Sequence, residues 1–149
     1  MKKKSVRTVL LIALAVIVLS IIVGSIYAYL YNYTLPNAAN DVLTKYMDAY
    51  KNGTKEAAQF AYFKNDQIKT TYMNAGTILY DYRIEEISRI NDDLFALTVL
   101  VKTNRTGESY MRVYNFLGRI DNSWRFINGV GNIPDEINQN LDIEAYSYK

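Results

Sequence analysis

An uncharged run of 33 residues, from Thr8 to Asn40, constrains the fold of this chain more than any other feature of its sequence. The apolar centre of the run, Val9 to Ala28, is 20 residues long. As an α-helix it would be about 30 Å long, which matches the hydrocarbon core of a bilayer. The run therefore predicts a helix that crosses a membrane, and we place this helix at residues 8–31.

The two flanks of the run predict its orientation. Four basic residues precede it, and four tyrosines lie at its far end: Lys2, Lys3, Lys4 and Arg7, then Tyr27, Tyr29, Tyr31 and Tyr33. Basic residues beside a membrane helix stay in the cytoplasm, and tyrosines collect at the membrane–water interface. We expect a cytoplasmic basic tail at residues 1–7, a signal anchor at 8–31, a linker at 32–36 and an extracytoplasmic domain after it, in a single-pass protein of the cell membrane.

A cleaved signal peptide is the alternative, and it would give a secreted protein. Its apolar region would run from Val9 to Val23, which at 15 residues is at the upper limit for such a region. The best cleavage site, Ile26-Tyr27-Ala28, has a β-branched residue where alanine is preferred. The retained anchor is therefore favoured.

Composition excludes several classes of function. The chain has no Cys and no His, so it can form no disulfide, no Cys/His zinc site and no catalytic relay through a thiol or an imidazole. Four of its 17 basic residues lie in the N-terminal tail, which leaves 13 basic against 15 acidic residues elsewhere. A nearly neutral domain is not expected to bind nucleic acid, because that function needs a clustered basic surface.

The remaining chain predicts one domain at residues 37–137 and a polar C-terminal tail at 138–149. Apolar residues at helical spacing, such as Leu43, Tyr46 and Tyr50, indicate a first helix that stops at Asn52-Gly53. A second helix is expected at residues 55–63, capped by Thr54. A third, capped by Asn65 or Asp66, is expected to run to Asn74 and stop at Gly76.

After Gly76 the apolar period changes from 3.6 to 2, which is typical of strands. Four strands are expected: one from about Ile78, one at 94–103, one at 109–120 and one that begins at Trp124. The alternation slips by one residue near Glu85-Glu86, which predicts a β-bulge that bends the first strand. The predicted fold class is α+β: an N-terminal transmembrane helix, then a cone-like domain of about three helices packed on a bent four-stranded antiparallel sheet.

Three segments resemble the nuclear-transport-factor-2-like (NTF2-like, cystatin-like or SnoaL-like) superfamily. They are the helix corner at residues 50–57, the first hairpin at 87–95 and the final hairpin at 121–126, where Asp121-Asn122-Ser123-Trp124-Arg125-Phe126 is similar to the "Asp-Gly-x-Trp-Lys-Ile" pattern of the superfamily. The resemblance implies a cone with an apolar interior. It does not decide function, because the superfamily includes isomerases, dehydratases and extracytoplasmic domains of conjugation and type IV secretion assemblies.

An isomerase of this fold would need a carboxylate inside the cone, and Tyr80-Asp81-Tyr82 is the nearest candidate. Strand alternation, however, puts Asp81 on the face opposite the two tyrosines. We therefore expect no catalytic residues and no enzyme activity. We also expect no cofactor and no metal, since Ile143 stands where a calcium loop around Asn138, Asn140, Asp142 and Glu144 would need glycine.

Tyrosine is unusually abundant, with 14 in the chain. Aromatic side chains that carry hydroxyl donors suit a binding pocket, although they also fill ordinary cores. The filled core is favoured over the pocket, because a domain of this size needs most of its aromatic residues to fold. The candidate lining of the cone is Tyr46, Tyr50, Tyr72, Tyr80, Tyr82, Tyr114 and Trp124.

Four arginines could form a basic stripe on the exterior of the sheet, and we expect a solvated face there rather than a partner surface: Arg105, Arg112, Arg119 and Arg125. The abundance of Lys, Asn, Ile and Tyr is typical of AT-rich bacterial genomes. The predicted function is therefore a binding or scaffold domain, anchored in the lipid bilayer, that joins another protein of a bacterial envelope complex. The alternatives are a tethered receptor for a small ligand in the Tyr-lined cone and, less favoured, an isomerase-like enzyme.

Overall fold

The computed structural model describes residues 2–138, so the predicted polar tail lies outside the described residues except for Asn138. The chain divides into two compact units at Thr34/Leu35. The first unit consists of helix α1, Lys2–Tyr33, which extends beyond the predicted membrane segment at both ends.

Helix α1 is long and apolar enough to cross a membrane. Its most apolar 18-residue window has a mean hydropathy of 3.1, and none of that window is buried. Two serines within it donate to the carbonyls four residues earlier, at 2.8 Å each, so their hydroxyls are satisfied by the helix itself: Ser20 to Val16 and Ser25 to Ile21. A membrane anchor and an N-terminal signal sequence share these properties.

The second unit is the α+β domain predicted from the sequence. Its elements in chain order are α2 (Asn37–Tyr50), α3 (Thr54–Ala57), β1 (Ala61–Tyr62), α4 (Asp66–Met73), β2 (Leu79–Asn91), β3 (Leu94–Thr103), β4 (Met111–Ile120), β5 (Ser123–Ile127), a short 3-10 helix (Val130–Asn132) and α5 (Asp135–Asn138). The predicted antiparallel meander is confirmed as β2 to β5. The sheet has a fifth strand at its edge, because β1 pairs with β5 in parallel, and the order is β1-β5-β4-β3-β2.

The predicted bulge in the first strand is confirmed. The register between β2 and β3 shifts between Ile84 and Glu86, and two further shifts occur at Leu79/Asp81 and Arg89/Asn91. Each extra residue bends the strand and increases its twist. These bulges give the long edge strand the curvature that a cone requires.

One of the predicted helices needs correction. The second was expected to run to Phe63 with Thr54 as its cap, but α3 ends at Ala57 and begins after Gly53, whose φ of 125° strongly favours glycine. The residues that follow leave the helix because Ala61 pairs with Phe126 of β5. The third helix is confirmed as α4, where the side chain of Asn65 accepts a hydrogen bond from the backbone N–H of Ile68 at 2.9 Å.

Apolar clusters cover both faces of the sheet. The larger one lies between α2 and the face of β3 that carries Phe95, Leu97, Val99 and Val101. The smaller one lies on the opposite face, where Leu94, Phe116 and Ile127 are covered by Ile133 from the segment after β5. We call this segment, residues 130–138, the C-terminal strap. The site described next lies on the side of the larger cluster.

Candidate functional site: a cavity in the cone

A cavity of 210 Å³ lies between α2 and the face of the sheet that carries the larger apolar cluster. Helix α2 contributes Tyr46, Met47 and Tyr50 to its wall. The sheet and its connecting loops supply the rest: Thr77, Val101, Thr103, Arg105, Met111, Val113, Asn115, Phe126 and Asn128. The cone is therefore neither fully filled nor wide open, because its large side chains leave a space of limited size.

Asn115 is the most informative residue of this cavity. It lies on β4 opposite Leu97, in the same strand phase as Val113 and Leu117, so its side chain shares the face that packs against α2. The residue is 4% exposed. Its Oδ1 is the only buried side-chain nitrogen or oxygen atom within residues 9–138 that lacks a hydrogen-bond partner. Buried acceptors are nearly always paired, so an unpaired one in a cavity wall calls for an explanation.

Three tyrosines form a connected cluster along the helical side of the cavity. The Tyr46 ring stacks on Phe126 with centroids 3.6 Å apart, and its hydroxyl lies 2.6 Å from that of Tyr72. The Tyr50 ring is 5.7 Å from Tyr46 and 6.5 Å from Tyr72. Helical spacing places Tyr46 and Tyr50 on one face of α2, and α4 brings in Tyr72. Aromatic packing and the hydroxyl pair connect the side chains of this wall.

The outer end of the cavity is polar and basic. Arg105, in the turn after β3, is exposed, and its Nη2 donates to the carbonyl of Ala75. Tyr50 forms a hydrogen bond with Thr77 and lies within the electrostatic reach of Arg105. The cavity is therefore lined at its mouth by Arg105 and in its buried part by Asn115, whose Oδ1 is unpaired.

The tyrosine hydroxyls remain protonated at neutral pH. Burial raises the pKa of Tyr46 well above its ordinary value, and the neighbouring phenol of Tyr72 raises it further. Burial also raises the pKa of Tyr72 and of Tyr50, with Arg105 and the bond from Thr77 acting in the opposite direction on Tyr50. These phenols are therefore hydrogen-bonding groups here and not bases.

The structure brings five of the seven predicted lining residues to the core face. Tyr46, Tyr50, Tyr72, Tyr82 and Trp124 all belong to or pack against the larger apolar cluster, and Trp124 lies 5.8 Å from Phe95 between ring centroids. Of these five, Tyr46 and Tyr50 line the cavity itself.

The other two predicted residues lie elsewhere. Tyr80 falls at a register shift of β2 and is 58% exposed. Tyr114 pairs with Thr98, in the strand phase that faces away from α2. This register confirms the prediction that Tyr114 shares a face with Arg112. Because that face points away from α2, Tyr114 does not line the cone.

The predicted lining contains only two of the twelve residues that line the cavity, Tyr46 and Tyr50. Arg105 is one of the ten others, and its predicted place in a basic stripe on the exterior of the sheet needs correction, because the turn after β3 brings it to the mouth of the cavity.

Asn115, Thr77 and Asn128 are also among these ten others. A signal for Asn115 was present, because Val113, Asn115 and Leu117 alternate in one phase and a polar residue in an apolar series points into the core. Thr77 and Asn128 lie outside any periodic pattern, so only the folded loops bring them to the cavity.

No carboxylate lines the cavity among the described residues. The predicted orientation of Asp81, away from Tyr82, is confirmed: Asp81 pairs with Lys102 in the sheet, and its carboxylate accepts a hydrogen bond from the hydroxyl of Tyr110. That hydroxyl holds the pKa of Asp81 below its ordinary value, with further help from the backbone N–H of Tyr82. Within residues 9–138 there is also no group of three or more acidic side chains placed to hold a metal ion.

A larger depression of 720 Å³ lies beside β1, and two of its charged side chains have partners. Lys64 pairs with Asp135 at 2.6 Å, and Arg125 donates to the carbonyl of Gln59 at 3.1 Å.

The arginines of the predicted basic stripe are partnered too. Arg112 pairs with Glu85 at 2.7 Å and Arg119 with Asp93 at 3.1 Å, as expected of a solvated face.

Comparison with known proteins finds no matching family model and no matching curated protein. Several solved structures are similar to the chain, and two crystal structures are among them. One, from Campylobacter jejuni, is provisionally named an NTF2-like transpeptidase; the identity is 21%, with 60% of this chain and 98% of that one covered and a TM-score of 0.44. The other, from Nostoc punctiforme, is a domain of unknown function with a cystatin-like fold; the identity is 14%, with 74% and 91% covered and a TM-score of 0.45.

At these identities and TM-scores, the two similarities say nothing of activity or partners. The architecture of the domain itself agrees with the superfamily resemblance predicted from the sequence. Three helices come first, and a bulged antiparallel meander then encloses an apolar interior. The chain therefore has an N-terminal apolar helix followed by an α+β domain with a five-stranded sheet.

Proposed function

We propose that this chain is a single-pass membrane protein whose extracytoplasmic domain binds a small molecule in the cone cavity. One observation carries the proposal: Asn115, whose buried Oδ1 is unpaired, lines a preformed cavity. Leaving a buried acceptor unpaired costs about 1 to 3 kcal/mol. A ligand or an ordered water with a donor group would recover that cost, and the aromatic and hydroxyl-bearing wall suits an organic ligand.

Binding without chemical conversion is part of the proposal. A general base would have to lie in the cavity, and the lining residues offer amides, hydroxyls and one guanidinium instead. Of the two binding roles predicted from the sequence, the cavity favours the small-ligand receptor. A role in a bacterial envelope complex stays a prediction that rests on the anchor, since tethering raises the effective concentration of a domain for a membrane partner.

The test uses the full-length protein in lipid nanodiscs and a library of polar, fragment-sized molecules. Saturation-transfer NMR identifies the molecules that bind, and titration gives their affinities. We expect Asn115→Leu to weaken the cavity ligands at least tenfold. The matched control is Thr98→Leu, which makes a similar change on the opposite face of the same sheet and should leave the affinities unchanged.

The stability of the Asn115→Leu variant distinguishes loss of the binding site from damage to the fold. Replacing an unpaired buried amide by an apolar side chain of similar size is expected to leave the domain as stable as before, or more stable. A library without any hit, or hits that bind Asn115→Leu as well as the wild type, would contradict the proposal.

A further inference from the structure

The charge of the cavity limits what its ligand can be. Arg105 is the only charged side chain among the described lining residues. Its bond to the Ala75 carbonyl holds the guanidinium at the rim and engages Nη2, and a guanidinium has five N–H donors. Several donors therefore remain for a second acceptor. A planar fork of this kind suits a carboxylate, which it can bind through two parallel hydrogen bonds.

The two ends of the cavity favour different chemical groups of a ligand. Arg105 and Asn128 are exposed, so the rim is in contact with water. Asn115, in contrast, is buried. A charged group at the rim keeps part of its hydration, whereas a neutral donor at Asn115 meets the only unsatisfied buried side-chain acceptor of residues 9–138. The ligand should therefore carry its anion at one end and a hydrogen-bond donor at the other.

The walls between these two ends are apolar and aromatic. Tyr46 and Phe126 present stacked rings, and Val101, Met111 and Val113 line the sheet side. The volume of 210 Å³ equals the liquid volume of about seven water molecules. It is also below the range of pockets for drug-sized ligands, about 300 to 1,000 Å³. A short apolar body, such as one aromatic ring, fits this space.

We infer that the cavity binds a small organic acid that carries a hydrogen-bond donor opposite its carboxylate, with the carboxylate on Arg105 and the donor on Asn115. This inference rests on the proposed function, since it names the ligand class of the same cavity. The orientation of the ligand follows from the burial of Arg105 and Asn115. The carboxylate stays at the solvent-exposed rim beside Arg105, and the neutral donor lies at the buried end beside Asn115.

Three related probes test the two ends separately. 4-Hydroxybenzoate has both groups, 4-methoxybenzoate lacks the donor, and 4-hydroxybenzamide lacks the charge. Their affinities for the full-length protein in nanodiscs are measured by calorimetric titration at neutral pH, where the acids are ionised. We expect 4-hydroxybenzoate to bind at least tenfold more tightly than either of the other two.

Two variants assign each difference to its residue. Arg105→Met should abolish the advantage of the acid over the amide, and Arg105→Lys should keep part of it because the charge remains. Asn115→Leu should abolish the advantage of the hydroxyl over the methoxy compound. The control is Arg119→Met, which removes an arginine that is paired with Asp93 and absent from the cavity wall, and it should leave all three affinities unchanged.

The possible failures are distinguishable. If the amide binds as tightly as the acid and Asn115→Leu still weakens both, the cavity is a binding site for neutral ligands and the anionic class is wrong. If 4-hydroxybenzoate does not bind while other library molecules do in an Asn115-dependent way, the inference is wrong and the proposed function stands. If nothing binds, both are wrong.

Discussion

Gly118 and Ile127 lie close together on the face of the sheet that carries the smaller apolar cluster. A Cβ atom placed on Gly118 would lie 2.7 Å from Cδ1 of Ile127, a residue that is fully buried. We predict that Gly118→Ala destabilises the domain by about 1 to 3 kcal/mol, because the added methyl group overpacks the cluster. Urea unfolding of the full-length protein, followed by the fluorescence of its single tryptophan, Trp124, measures this change.

A second substitution shows whether the contact with Ile127 is the cause. Ile127→Val removes the Cδ1 atom and by itself is expected to cost about 0.5 to 1.5 kcal/mol. In the double variant the two changes compensate, so its loss of stability should be smaller than the sum of the single losses. Strict additivity would contradict the predicted clash.

At the scale of elements, the C-terminal strap covers the face of the sheet that carries the smaller apolar cluster. Ile133 is 1% exposed and packs on Leu94, Phe116 and Ile127, whereas Val130 of the same strap is 38% exposed. We predict that Ile133→Ala lowers the free energy of unfolding by about 2 to 4 kcal/mol. Val130→Ala, the matched control, should change it by at most about 0.5 kcal/mol. Equal effects in urea unfolding would mean that the strap is not part of the folded core.

The sequence predicted the elements whose signal is local. The phase slip near Glu85-Glu86 identified a bulge because each strand residue alternates between faces, and Asn65 identified the start of α4 because its side chain caps the next turn. The end of α3 and the strand β1 could not be predicted in this way. Ala61 fits a helical pattern, and only its pairing with Phe126, 65 positions later, makes it a strand residue.

The candidate site was predictable to the extent that helical spacing and strand phase determine it. Tyr46 and Tyr50 share a face of α2, and the sequence analysis placed both in the cone. Tyr114 was assigned to the wrong face of β4, although the apolar phase of that strand runs through Val113 and Leu117. The same phase contains Asn115. A candidate site residue can thus be recognised as the polar exception in an apolar series once the phase of the strand is known.

At the scale of the whole molecule, the flanks of helix α1 predict on which side of the membrane the domain lies. Helix α1 has the length and hydropathy of a membrane span, and the basic residues at its start predict that the N-terminus stays in the cytoplasm. We predict that alkaline phosphatase fused after Pro36 is active in bacterial cells, because this reporter folds only outside the cytoplasm. β-Galactosidase fused at the same site should be inactive, and the opposite pattern would overturn the topology.

Retention of the helix is tested on the same full-length chain with an epitope tag at each end. An uncleaved anchor keeps both tags on one polypeptide, and this polypeptide stays in the membrane fraction after a carbonate wash, since about 20 apolar residues in a bilayer are not extracted by salt or alkali. A cleaved signal peptide would leave a shorter product that has lost the N-terminal tag and is released from the membrane. We expect the first result, because the sequence around Ala28 is a poor cleavage site. A cavity that binds small acids would then be held permanently at the outer surface of the membrane, where its ligand could be sampled without being taken into the cell.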